Sequence, residues 1–363
     1  MTHSRFSLAA LCLGVFLSVA AGSAAHAAAD RSEVIERVIS HGIRPGFEAF
    51  AGSAERLAAA THQLCSAPDA EKFAATTAAF ADLIDSWSRV EFIRLGPLAA
   101  DNRLERVMFW PDRRSRGLAQ VQEAIRTGDD SVTDPVALAG KSVALQGLPA
   151  LDFVLAGTGS EEIAAGTAPM RCAFAAAIAD NVSDIAGQFT AEWNDPDGFS
   201  RLWLEPDALN PMFRDGDEQL SRLLTMIGDG IELIHVQRLE PVVQDSRKAM
   251  KPKAALFWRS GNFGRTLGGN IEGLESLFVA AQLQDLVPAS DARRLDGTLF
   301  GFHEARAVFA EVPGDIAGLA TDEAGYNRLA YGDIVLTGLI DNFKETIPVM
   351  FGLISGFSTL DGD

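Results

Sequence analysis

Thiols and imidazoles are scarce in this 363-residue sequence, which has three cysteines and six histidines. Cys12, His3 and His26 fall within the first 27 residues, and that stretch reads as a secretory leader. Arg5 supplies a positive start, Leu8 to Ala21 are apolar or small, and Ala25-His26-Ala27 gives the small-x-small pattern that signal peptidase cleaves. The mature protein is expected to begin near Ala28, to work in the periplasm or against the envelope, and to keep only His41, His62, His235, His303, Cys65 and Cys172. Cys12 lacks the small neighbours of a lipoprotein cleavage site. No later run reaches eighteen apolar residues, so the mature chain is not expected to span a membrane.

Basic residues are outnumbered, 31 against 49 acidic, for a formal charge of -18. A phosphate backbone needs a basic footprint, so nucleic acid is excluded as a partner. No Gly-x-Ser-x-Gly elbow occurs, and neither mature cysteine has a Cys-His context. Gly261-Asn262-Phe263-Gly264 and Gly268-Gly269 follow no strand pattern, which argues against a phosphate-binding loop. No catalytic residue and no cofactor is assigned. In an oxidising compartment Cys65 and Cys172 form either a disulfide, the favoured reading, or two buried thiols.

What the chain does have is helical periodicity. Phe174, Ile178, Val182, Ile185 and Phe189 recur at spacings of three and four, as do Leu220, Leu223, Leu224, Ile227, Ile231 and Ile234. Ser66 before Pro68, Asp69 and Glu71, and Asp134 before Pro135, read as helix starts. The fold class is all-α. A mature length of about 335 residues exceeds one ordinary core, so two helical bundles are expected. They would occupy 28–194 and 218–363, packed side by side after a leader at 1–27. Residues 195–217, rich in Pro, Asp and Gly but carrying Phe199, Trp203 and Phe213, read as a packed connector. Ala150-Leu151-Asp152-Phe153-Val154-Leu155 and Gly273-Leu274-Glu275-Ser276-Leu277-Phe278 form a faint echo consistent with duplication.

Three stretches exceed ordinary amphipathic helix. The first runs from Trp87 through Glu91, Arg94, Gly96-Pro97, Arg103 and Arg106 to Trp110-Pro111-Asp112. The second is Gln146-Gly147-Leu148-Pro149-Ala150-Leu151-Asp152, and the third pairs Trp258-Arg259-Ser260 with the terminal Leu360-Asp361-Gly362-Asp363. Their order resembles the imelysin-like family, which includes an insulin-cleaving membrane protease and iron-regulated periplasmic proteins. The resemblance implies two helical bundles with a cleft between them, and a Gly-x-His-x-x-Glu motif that holds a metal. Here that motif reads Gly147-Leu148-Pro149-Ala150-Leu151-Asp152. Residues three apart share a helix face, so His-x-x-Glu can meet one ion, whereas proline carries no ligand atom.

No metal is therefore assigned. Glu232-x-x-His235 has ligand spacing but no second copy, and is read as a surface or capped pair. His41 is expected to be structural and the adjacent His303-Glu304 solvated. Among polar residues in apolar helices, Glu91, Arg89, Arg94, Arg103, Arg106, Gln146, Asp152 and Arg259 either staple the bundles as an ion network or line the cleft. Trp87, Trp110 and Trp258 read as core anchors. The cleft candidates are thus Gly147, Pro149, Asp152, Glu91, Arg94, Arg103, Arg259 and Trp110. The expectation is a non-catalytic binding or accessory protein for iron or haem uptake, with a small ligand in the cleft or an envelope protein as partner. The alternative is a metallopeptidase whose ligands lie outside the altered motif.

Overall fold

The computed structural model describes residues 31–353, so the expected leader and the terminal Leu-Asp-Gly-Asp motif lie outside the described residues. Among these residues the chain is helical with no strand. Eight longer or site-bearing helices carry the architecture. In the N-terminal half they are α1 (Arg44–Ser66), α2 (Ala70–Ser88), α3 (Leu148–Ala156) and α4 (Pro169–Asn194). In the C-terminal half they are α5 (Gly216–Glu232), α6 (Phe263–Ala281), α7 (Ala289–Ala310) and α8 (Glu323–Asp341).

Side-chain spacing explains the packing. Phe174, Ile178, Val182, Ile185 and Phe189 are all buried, and α4 lays this face along α1 and α3. Burying each such side chain is worth roughly 1.5–3 kcal/mol. α1 also packs on α2, while α5 to α8 close a second bundle in which α6 meets α5 and α7, and α8 meets α5 and α7. The Cys65–Cys172 disulfide ties the end of α1 to the start of α4, closing a loop of 107 residues. Caps are local. Asp134 accepts from Ala137 N–H and Asp215 from Glu218 N–H. At α2 the cap is Asp69, which accepts from Lys72 N–H, and Ser66 is the last residue of α1 rather than a helix start.

Among the described residues, three turns widen to π-helix: Ile39–Ile43, Leu233–Leu239 and Asn342–Thr346. Each ends two residues before a proline, respectively Pro45, Pro241 and Pro348. Proline offers no N–H and its ring clashes with the carbonyl four residues back; one extra residue in the turn relieves both.

The halves meet where α2 crosses α6. Gly269 and Gly273 face the end of α2 there, and a Cβ on Gly273 would fall inside the van der Waals envelope of the Arg89 carbonyl. Beside this crossing Glu91 is wholly buried. It accepts from Arg238 Nη2 at 3.0 Å and from Asn270 Nδ2 at 2.8 Å. The 195–217 segment is packed, with buried Trp203 stacked on Phe213 at 5.7 Å.

Candidate functional site

A cleft of about 630 Å3 opens between the halves. Trp110-Pro111-Asp112 and the first turns of α3 form one wall; the π turn after α5 and residues 253–259 form the other. α3 starts where it does because Gly147 precedes Leu148 and Pro149. Proline in a first turn forfeits no hydrogen bond, and glycine lets the chain press against the Arg106 and Val107 carbonyls, leaving no room for a Cβ. One turn on, Asp152 is buried against the second half.

Asp152 Oδ1 accepts from Ser260 Oγ at 2.5 Å and from Ser260 N–H at 3.3 Å, while Oδ2 lies 3.9 Å from Arg259 Nη1. Burial pushes its pKa up to about 6, against the pull of the Ser260 hydrogen bonds and of Arg259. Removal of water from around a carboxylate favours its neutral form, and here that effect exceeds the pairing. Arg259 lies over the Trp258 ring at 4.6 Å and near the Phe153 ring at 5.4 Å. Among the described residues it makes no hydrogen bond, so its donors remain available beside the cleft. Burial lowers its pKa, with Asp152 opposing. Lys253, over the Trp258 ring at 5.6 Å, adds a second cation.

Of the residues singled out in the sequence, Trp110, Pro149, Asp152 and Arg259 come together at this cleft, with Gly147 behind them. Three do not line it. Glu91 belongs to the buried network with Arg238 and Asn270. Arg103 pairs with Glu192 at 2.7 Å inside the N-terminal half, and Arg94 is exposed on the turn after α2. Arg106 donates to Gln146 Oε1 and Asn181 Oδ1, both at 2.9 Å, so this group too is packing. Trp87 is wholly buried, but Trp110 and Trp258 are only partly covered and form cleft wall instead of core. Glu232 and His235 are each paired with another helix: Lys344 meets Glu232 at 2.8 Å, and Asp333 meets His235. Sequence reasoning missed Ser260 as the hydrogen-bond donor to Asp152. Its only signal was its place beside Arg259 in the Trp-Arg-Ser stretch.

The donors at this cleft do not fit a metal. Among the described residues no histidine lines it, and the carboxylates that do are already engaged. Asp112 accepts from the N–H groups of Arg116 and Leu118, Glu232 pairs with Lys344, and Asp152 is bound to Ser260.

Solved structures share the fold, two of them as follows. An imelysin-like protein from Psychrobacter arcticum 273-4 superposes with a TM-score of 0.73 at 17% identity, covering 91% of this chain and 98% of that one. A protein assigned as an iron-regulated protein A precursor, from Parabacteroides distasonis ATCC 8503, gives a TM-score of 0.70 at 11% identity, covering 87% and 95%. The family model described as Imelysin matches residues 43–340. No curated protein sequence is significantly similar to the chain.

Proposed function

This chain belongs to the imelysin family, and on that premise we propose that it is an exported, non-catalytic binding or accessory protein that takes a small anionic ligand in the cleft between its halves. Its place is the periplasm, and its role is iron or haem uptake, in keeping with the iron-regulated name of one structural neighbour. The observation that carries the reading is Arg259. On a chain of net charge -18, its guanidinium lies over Trp258 at 4.6 Å, with Lys253 over the same ring and only a 3.9 Å contact to the Asp152 carboxyl. A stacked guanidinium with unused donors suits a carboxylate or phosphate group, which it can bind through two parallel hydrogen bonds.

Ferric citrate and haem are anionic iron carriers that probe this site directly. Calorimetry with both should show binding of at least one by the native protein, weakened about 10-fold or more in Arg259→Ala, the loss of a charge-assisted pair. Binding of neither, or equal binding by the variant, overturns the reading. Cleavage of a protein substrate that stops on chelation replaces it with the metallopeptidase alternative. For export, the mature N-terminus should lie between Ala28 and Asp30 when protein from an exporting host is sequenced.

A further inference from the structure

The π turn Leu233–Leu239 has a second face. Val236, Gln237 and Pro241 line the cleft, whereas His235 and Glu240 turn toward α8. In an α-helix residues five apart are separated by about 500° of rotation, roughly 140° around the axis, and do not meet. Here Glu240 N–H donates to the His235 carbonyl, closing the wide turn and bringing the two residues onto one side. His235 Nε2 then lies 3.6 Å from Glu240 Oε1 and 2.6 Å from Oδ1 of Asp333 on α8. All three donor atoms fall within 4.8 Å of one another. Pro241 accounts for the π turn itself, but not for a histidine and a glutamate at its two ends or an aspartate opposite. The other two π turns, each also followed by a proline, carry no such trio among the described residues.

We propose that His235, Glu240 and Asp333 form a divalent-cation site, separate from the altered motif and from the anion cleft. One imidazole nitrogen and two carboxylate oxygens suit a borderline ion of the zinc or ferrous class, with water completing the shell. An ion about 2.0–2.2 Å from each donor needs donors roughly 3.4 Å apart. The observed separations of 2.6 and 3.6 Å bracket that spacing. Binding exchanges the imidazole–carboxylate hydrogen bond for metal bonds: Nε2 gives up its proton, and the ring ligates as a neutral imidazole with its remaining proton on Nδ1. His235 is mostly covered while both carboxylates are about half exposed, so the site has an anchored ligand and an open approach. π turns inside helices recur at functional sites, and this one supplies two of the three ligands.

The test is calorimetric titration of the metal-free full chain with Zn2+ at neutral pH. Native protein should take up one ion per chain. Asp333→Asn and His235→Gln should each weaken uptake about 10-fold or more, and the cleft variant Asp152→Asn should leave it unchanged. If His235→Gln does not fold, as judged by circular dichroism, Asp333→Asn carries the test, because its side chain is half exposed. No uptake by native protein, or undiminished uptake by Asp333→Asn, overturns the proposal and leaves the trio as hydrogen-bonded packing. Loss of uptake in Asp152→Asn would place the ion in the cleft and overturn it as well.

Discussion

Replacing Asp152 with asparagine should stabilise the protein at neutral pH and do nothing in acid. The carboxyl titrates at about 6 in the fold, against 3.8 for an unperturbed aspartate. Because the folded-state value is the higher one, the native protein holds a proton that the unfolded chain releases between these pH values. Stability from this group is therefore greatest below pH 3.8, declines as pH rises, and reaches its full deficit above pH 6. A gap of about two pH units corresponds to about 3 kcal/mol. Asparagine has nearly the same shape, its oxygen can still accept from Ser260, and it carries no charge to desolvate. Asp152→Asn should thus raise the melting temperature by about 4 °C at pH 8 and leave it unchanged at pH 3.5. Calorimetric melts at the two values decide the matter. A variant less stable than native at pH 8 would mean that ionised Asp152 is held favourably by Arg259 and Ser260, and the reasoning fails.

Three other perturbations follow from the packing. Removing the Cys65–Cys172 bridge with paired serines should cost about 3–5 kcal/mol in urea unfolding, as expected for a closed loop of this length, and native protein alkylated without reductant should show no free thiol. Glu91→Ala leaves the Arg238 guanidinium buried without its charge partner and should cost about 3–5 kcal/mol, whereas Glu91→Leu combined with Arg238→Met should recover most of it. Gly273→Ala pushes a methyl group into the Arg89 backbone at the crossing of α2 and α6, and should cost roughly 1–3 kcal/mol by the same assay.

The helices were legible because their causes are local. The Phe174 to Phe189 repeat and the Asp134 cap each act within a few residues, and each behaves as its spacing implies. Partnerships across the chain were not legible. Asp152 and Ser260 are 108 residues apart, and Glu91 and Arg238 are 147 apart. Both pairs depend on how the halves dock, which no periodicity encodes. Arg103 depends on a contact within its own half, with Glu192 89 residues away, and Arg94 lies exposed on the turn after α2; neither position is encoded by local spacing. Trp110 and Trp258 were misjudged for a related reason, since a tryptophan that forms cleft wall has the same sequence signature as one in a core. The π turn could have been anticipated from Pro241 inside a continuous apolar repeat, a signal that the usual helix rules treat only as a break.

Whether the altered motif holds a metal is decided by zinc titration of three proteins: native, Asp152→Ala, and the double variant Pro149→His with Asp152→Glu. A pair at i and i+3 is a ligand set only when both side chains offer lone pairs to one point, and recovering the two ligand types does not recover the groups that orient them. Asp152→Ala should bind zinc as native protein does, any uptake residing at His235, and the double variant should add at most weak binding. Tight zinc binding by native protein that vanishes in Asp152→Ala would contradict that expectation.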